Sequence, residues 1–475
     1  MEKGNPRVTK AIQTLLVLIF MTGAAWLQTR IPFWSAWDME FITIADLYRM
    51  TGDLIPQHIN HTAFGMYLPM RLLWQIFPIP IDDLHQWMNT EIPLLALKEP
   101  VIWMRLSSTL AATILIVSVL RVNKLTSILI LMITLPSLWL MPLQTIRTEL
   151  WAVMWYAVAL ACLFIKRDSK WFFLFFLFSG LAFVTKYQGV FLHLGLVILY
   201  LFHTKPRDLL AFPSKRWTRV LLGLFLFLSL CSVMTYIPSY FAVFSKSNAP
   251  NIFFFAALAI LLLPFFKNPY LKMLGSLWWF GAGIIAAFSF HFVLGLSLET
   301  AWEYLIFDWK MIFFRHSNPN IALARADNIF LWSLTHQGPL LLIWTFFLAR
   351  SFKSWSNFQK ILGVSYFALI LVSFRLVTRG GWQDAIWNDF LILFGFAFFN
   401  LKKESIVSTG FVIIIFFNIW LLRDLPFQST YVGAYDLDRY WKEPYESPEI
   451  KYTEIMSKFK KRKIEINGKI KKEEN

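Results

Sequence analysis

Long apolar stretches with few charges constrain this chain more than any other feature of its sequence. One of them, "AIQTLLVLIFMTGAAWL", begins at residue 11. A helix needs about 20 mostly apolar residues to cross the hydrocarbon core of a bilayer. By this criterion about thirteen segments qualify. They lie roughly at 11–29, 101–120, 125–143, 150–165, 171–185, 188–203, 218–243, 251–267, 273–296, 338–350, 359–375, 385–400 and 406–422.

Composition supports the same fold class. The 475 residues are 57% hydrophobic and include 48 Phe and 22 Trp, more apolar surface than a soluble core hides. A transmembrane β-barrel would instead show short segments of alternating hydrophobicity. The sequence therefore predicts an all-α polytopic membrane protein, with about thirteen transmembrane helices by the length criterion.

The formal net charge of +16 has a topological origin. Basic residues concentrate in alternate connections between the apolar segments, for example at 121–124, 166–170, 205–219 and 350–360. Such an excess marks cytoplasmic loops and places the N-terminus in the cytoplasm. We therefore predict a multi-pass protein, most simply of a bacterial inner membrane, that contacts membrane lipids and not nucleic acid.

The polar remainder lies mostly on the outer face. A transmembrane domain, 1–423, is predicted to include an outer loop, 30–99, and a second outer segment, 297–337. Both contain amphipathic stretches typical of juxtamembrane helices that lie in the interface. The polar, basic tail at 424–475 falls on the outer side if the number of membrane helices is odd.

Charged and polar residues gather where the outer ends of the predicted helices lie. Ionisable groups inside a membrane cost several kcal/mol unless they are paired or face a wet cavity, so these residues are functional candidates. The candidates are Asp38, Glu40, His58, His61, Arg105, Arg147, Glu149, Lys186, Tyr187 and Arg379. A carboxylate can remove the proton of an acceptor hydroxyl, while Arg and Lys stabilise a departing phosphate. This combination suits transfer of a sugar from a lipid phosphate.

The order of the motifs resembles a known family. "WDMEF" opens the outer loop, "MTGDLIPQHIN" and "HTAFGMYL" follow, and "IRTELWAVMWYAVALACLFI" and "FLFSGLAFVTKYQGVFLHL" come further on. This arrangement is similar to that of GT-C glycosyltransferases, and most similar to their protein O-mannosyltransferase and aminoarabinose-transferase branch. The resemblance covers roughly residues 10–205. Two departures leave the sugar and the acceptor open: Met39 separates the two acidic residues, and Thr62 and Ala63 replace a pair of prolines.

The resemblance implies a function and assigns roles. The enzyme would move a sugar from a polyprenyl-phosphate donor to a hydroxyl of a lipid, glycan or protein on the non-cytoplasmic face, without a cofactor. Asp38, with Glu40 beside it, would be catalytic. His61, Arg105, Arg147, Lys186, Tyr187 and Arg379 would bind the donor and its phosphate, and Glu149 and His58 would have secondary roles.

Other readings of the acidic stretch and its histidines remain open. Asp38 could cap a helix, a favoured role for Asp before an apolar run. If the segment is helical, Glu40 points about 200° away from Asp38, so only one of them would face the cavity. His58 and His61, three residues apart, could bind a divalent metal, although the resembled branch needs none.

The other charges also have simpler readings. Arg147 and Glu149 could form an ion pair at the interface, and Lys186 could extend to the lipid headgroups. A transporter or flippase for a lipid-linked substrate is the alternative function, and its charges should line a path across the membrane. A membrane scaffold without catalytic activity would give no reason for charges to gather on one side.

Overall fold

The computed structural model describes part of the chain. Its residues are 6–30, 98–122, 126–135, 138, 148–165, 169–186, 190–203, 338–380 except 340, 343 and 347, 385–398, 412, 415–416, 427–429 and 433–435. Eight α-helices are defined within these ranges. They are α1 (Pro6–Arg30), α2 (Lys98–Val122), α3 (Thr126–Thr134), α4 (Thr148–Ile165), α5 (Ser169–Thr185), α6 (Val190–His203), α7 (Asn357–Gly380) and α8 (Ala385–Phe398).

These helices overlap apolar segments recognised in the sequence. By length and composition, two of the described helices could cross a membrane, over Pro6–Trp26 and Arg105–Val122. Shorter apolar helical stretches occur at Glu149–Cys162, Asn357–Leu371 and Ile386–Gly395. The predicted segments 218–243, 251–267 and 273–296, the outer segment 297–337 and most of the outer loop lie outside the described residues.

Helix α1 packs on the bundle along a narrow strip. It contacts α2 and α3, and the Gln13 side-chain amide donates a hydrogen bond to the Thr126 hydroxyl at 3.4 Å. Phe20 and Ala24 are buried, whereas Leu15 and Ile19 are more than half exposed. An apolar face of this kind suits contact with lipid.

Helices α4 and α5 form an antiparallel hairpin. Glu149, in the first turn of α4, contacts Lys186, which directly follows α5. Further along the hairpin the rings of Trp155 and Phe178 stack with their centroids 5.7 Å apart. Helix α2 packs against α4, so these three helices form the core of the N-terminal half.

The start of α7 is fixed by its own sequence and by α6. The Ser356 hydroxyl accepts a hydrogen bond from the Gln359 backbone amide, and the Gln359 side-chain oxygen accepts one from the Ser356 amide. This reciprocal pair is a capping box, which satisfies two amides that a helix start leaves without partners. The Gln359 side-chain amide also donates to the Phe202 carbonyl at the end of α6.

Polar contacts show that α7 runs antiparallel to both α6 and α8. Tyr366 of α7 donates a hydrogen bond to the Leu391 carbonyl of α8 at 2.5 Å, and Ser373 donates to the Asn388 side-chain oxygen at 2.5 Å. Because later residues of α7 pair with earlier residues of α8, the two helices are antiparallel. Helix α6 is likewise antiparallel to α7, since Gln359 meets Phe202 while the Tyr366 ring lies beside Gly195.

Two glycines permit the close approach of these helices. A Cβ added at Gly195 would lie 2.8 Å from a methyl carbon of Leu391, and one added at Gly395 would collide with the Trp344 ring. The Trp344 ring stacks on Phe367 with centroids 5.7 Å apart. Helix α8 also contacts α3 and α4, which joins the two groups of helices into one bundle.

One short hairpin of strands lies in the C-terminal tail. Strand β1 (Phe427–Ser429) pairs antiparallel with β2 (Gly433–Tyr435), with Phe427 opposite Tyr435. These are the β-strands in the part of the chain that the structure describes.

The Tyr366 hydrogen bond should stabilise the packing of α7 on α8. Tyr366→Phe removes the bond and should lower the free energy of unfolding by about 1 kcal/mol, a usual value for such a bond between membrane helices. Unfolding of the purified protein by SDS titration measures the change. Val364→Ala, at a half-exposed position of the same helix, is the control. Equal stability of Tyr366→Phe and the wild type would contradict this role.

Candidate functional site

The candidate site is centred on a buried ion pair at one end of the α4–α5 hairpin. The Lys186 ammonium donates a hydrogen bond to Glu149 Oε1. Both side chains are almost fully buried, with exposed fractions of 4% and 2%. The two residues are 37 positions apart in the sequence, so the hairpin brings them together.

Local structure explains why each partner lies there. Glu149 is in the first turn of α4, where a carboxylate interacts favourably with the positive end of the helix dipole. At the end of α5 the Lys186 amide still donates to the Ala182 carbonyl at 3.0 Å, and the Thr185 hydroxyl donates to the Leu181 carbonyl at 2.7 Å. These bonds continue the helix up to Lys186 and fix the position from which its side chain extends.

Burial of Lys186 bears on one reading of this residue, the extension of its side chain to the lipid headgroups. A lysine that reaches the headgroups keeps its ammonium in water, but this side chain is enclosed by the protein. The snorkelling interpretation is therefore wrong. Lys186 is a partner of Glu149 in the structure, and Arg147, another candidate partner, lies outside the described residues.

Lys186 retains capacity to bind an anion. An ammonium has three N–H donors, and within the described residues one acceptor, Glu149, is in contact with it. The carboxylate balances the charge of the buried lysine. A phosphate oxygen that approached the remaining donors would form charge-assisted hydrogen bonds, which are shorter and stronger than neutral ones.

Arg105 is the other donor-binding candidate whose side chain the structure describes. It lies in α2, which packs on α4, and it is fully buried. Ser108 and Thr109, one turn further along α2, are also buried. Polar side chains in the interior of a membrane bundle are rare and tend to mark functional sites.

The remaining candidates cannot be placed in the site. Arg379 is the penultimate residue of α7, and its side chain is not among those described. Asp38, Glu40, His58, His61, Arg147 and Tyr187 lie outside the described residues. Within the described helices no group of three or more His, Cys, Asp or Glu side chains could hold a metal ion.

Sequence reasoning missed two polar residues of α8. Asn388 and Asp389 are fully buried, and Asn388 accepts the hydrogen bond from Ser373. The signal was present, because an ionisable residue inside the apolar segment 385–400 meets the same criterion that singled out Arg105. Helix α8 contacts α4, so the C-terminal helices contribute a second buried carboxylate to the bundle that holds Glu149.

Comparisons with known proteins add no relationship to this geometry. No protein-family model, no curated protein and no solved structure matches the chain.

The effects of removing the two charges of the ion pair on stability should not be additive. Glu149→Gln leaves the buried ammonium without its balancing carboxylate and should lower the free energy of unfolding by about 3–5 kcal/mol, the usual cost of breaking a buried pair. Lys186→Met alone should be similarly destabilising. The double variant should recover most of that loss, since it leaves no isolated charge.

A double-mutant cycle measured by SDS-induced unfolding tests this dependence. Val364→Ala serves again as a variant distant from the pair. If the double variant lost as much stability as the two single variants together, the two charges would be independent.

Proposed function

We propose that the chain is an integral-membrane glycosyltransferase of the GT-C type. It would move a sugar from a polyprenyl-phosphate donor to a hydroxyl of a lipid, glycan or protein. The site would face away from the cytoplasm, most simply at the outer surface of a bacterial inner membrane. The motif order around Asp38 and the one-sided placement of charges in the sequence support this proposal.

The observation that carries the proposal is the buried Lys186–Glu149 pair. The pattern of basic loops puts the start of α4 and the end of α5 on the outer side, which is where a lipid-linked phosphate would rest. Among the described residues one acceptor, Glu149, contacts the buried Lys186 ammonium, so donors remain that suit a phosphate leaving water. Arg105, buried in the neighbouring helix, adds a second cation to this half of the bundle.

The reaction requires little beyond a base and a phosphate site. Asp38 would take the proton of the acceptor hydroxyl as its oxygen attacks the anomeric carbon. The bond from that carbon to the phosphate oxygen would break, and Lys186 and Arg105 would stabilise the negative charge on the departing polyprenyl phosphate. A single displacement of this kind inverts the configuration at the anomeric carbon.

The base can be tested by an isosteric change. Asp38→Asn keeps the shape of the side chain and removes the base, so transfer should fall by about 10²–10⁴-fold, the usual contribution of general-base catalysis. Glu40→Gln is the matched control and should have a smaller effect if the two side chains diverge. A transfer assay on purified variants with wild-type yield and monodispersity measures both.

Three outcomes would change the proposal. Loss of transfer in Glu40→Gln with normal turnover of Asp38→Asn would make Glu40 the base. Normal turnover of both variants would remove the acidic stretch from catalysis. Movement of a lipid-linked substrate across vesicles without any sugar transfer would instead favour the transporter.

A further inference from the structure

Tyr156 carries a buried hydroxyl that has no hydrogen-bond partner among the described residues. Its side chain is completely buried in α4, and its oxygen makes no hydrogen bond within the part of the chain that the structure describes. A buried hydroxyl without a partner costs about 1–3 kcal/mol. A phenylalanine would avoid that cost, so the hydroxyl calls for an explanation other than packing.

Tyr156 lies on the face of α4 that carries the ion pair. It follows Glu149 by seven residues, which is almost two full helical turns, so the two side chains leave the helix in nearly the same direction. The axial separation of their Cα atoms is about 10 Å. Aromatic side chains in a helix lean toward its N-terminus, and that is the end of α4 where Glu149 and Lys186 meet. A Tyr156 side chain that follows this tendency points its hydroxyl toward the pair.

The facing helix repeats the same spacing. Ser179 precedes Lys186 by seven residues in α5, so in this antiparallel hairpin it comes to the level of Tyr156. Its hydroxyl is also buried and makes no hydrogen bond among the described residues. Each helix of the hairpin therefore carries a buried hydroxyl about two turns from its residue of the ion pair.

Tyr366 provides an internal comparison. It is also a fully buried tyrosine of a bundle helix, but its hydroxyl donates to the Leu391 carbonyl and holds α7 against α8. Tyr366 therefore has a structural role that Tyr156 lacks.

We propose that Tyr156 is a further ligand-binding residue, whose hydroxyl donates a hydrogen bond to the phosphate held by Lys186. This assignment rests on the proposed function for the lipid-linked form of the phosphate. The Lys186 ammonium would contact the phosphate at the end of the hairpin. The Tyr156 phenol would contact it from a position about two helical turns further into α4. The ligand would supply the acceptor that the described residues do not give to Tyr156.

The test compares binding with stability in the purified full-length protein. Tyr156→Phe should weaken binding of undecaprenyl monophosphate by about tenfold, a usual effect of losing one hydrogen bond to a charged group. Without ligand, the same variant should be as stable as the wild type or more stable, because it buries no hydroxyl without a partner. Tyr366→Phe is the matched control and should show normal binding with reduced stability.

Inorganic phosphate as a second probe separates this inference from the proposed function. Weaker binding of either probe by Tyr156→Phe supports the assignment, and the probe that binds identifies the source of the phosphate. Wild-type protein that binds inorganic phosphate and not the lipid would contradict the proposed donor. Equal affinity of Tyr156→Phe and the wild type for the probe that binds, or binding of neither probe by the wild type, would overturn the role of Tyr156.

Discussion

The arrangement of the N-terminal helices depends on one constraint, the need of a buried lysine for a negative partner. An isolated ammonium inside a helical bundle is costly, and Glu149 removes that cost for Lys186. The contact also fixes the α4–α5 hairpin, since it joins the first turn of one helix to the residue after the other. The same pair that orders the fold thus presents a cation in a protected place, which is what binding of a phosphate requires.

The C-terminal helices meet a similar requirement with neutral groups. Tyr366 and Ser373 donate hydrogen bonds from α7 to α8, and Gln359 extends the capping of α7 to the end of α6. Small residues allow the helices to approach closely enough for these bonds, as at Gly195. Because α8 also contacts α4, the C-terminal helices pack against the helix that carries Glu149.

Sequence alone predicted where helices lie much better than which residues meet. Apolar runs overlap the described helices, but some ends differ. Helix α2 begins at Lys98 and not after Pro100, because proline is tolerated in the first turn of a helix, and α3 ends at Thr134 inside the segment predicted at 125–143. The contact between Glu149 and Lys186 depends on a hairpin that no local pattern encodes. Tyr156 escaped notice because a tyrosine in an apolar segment usually belongs to the core or the aromatic belt, and its buried, unused hydroxyl becomes evident only in the packed structure.

The proposed glycosyltransferase would consume a polyprenyl-phosphate sugar. Comparison of the lipid-linked sugars and surface glycans of a deletion strain with those of its parent tests it most directly. We expect one polyprenyl-phosphate sugar to accumulate in the deletion strain while one lipid, glycan or protein loses that sugar. The wild-type protein should restore both, whereas Asp38→Asn should restore neither. Unchanged lipid-linked sugars together with unchanged acceptors would contradict it.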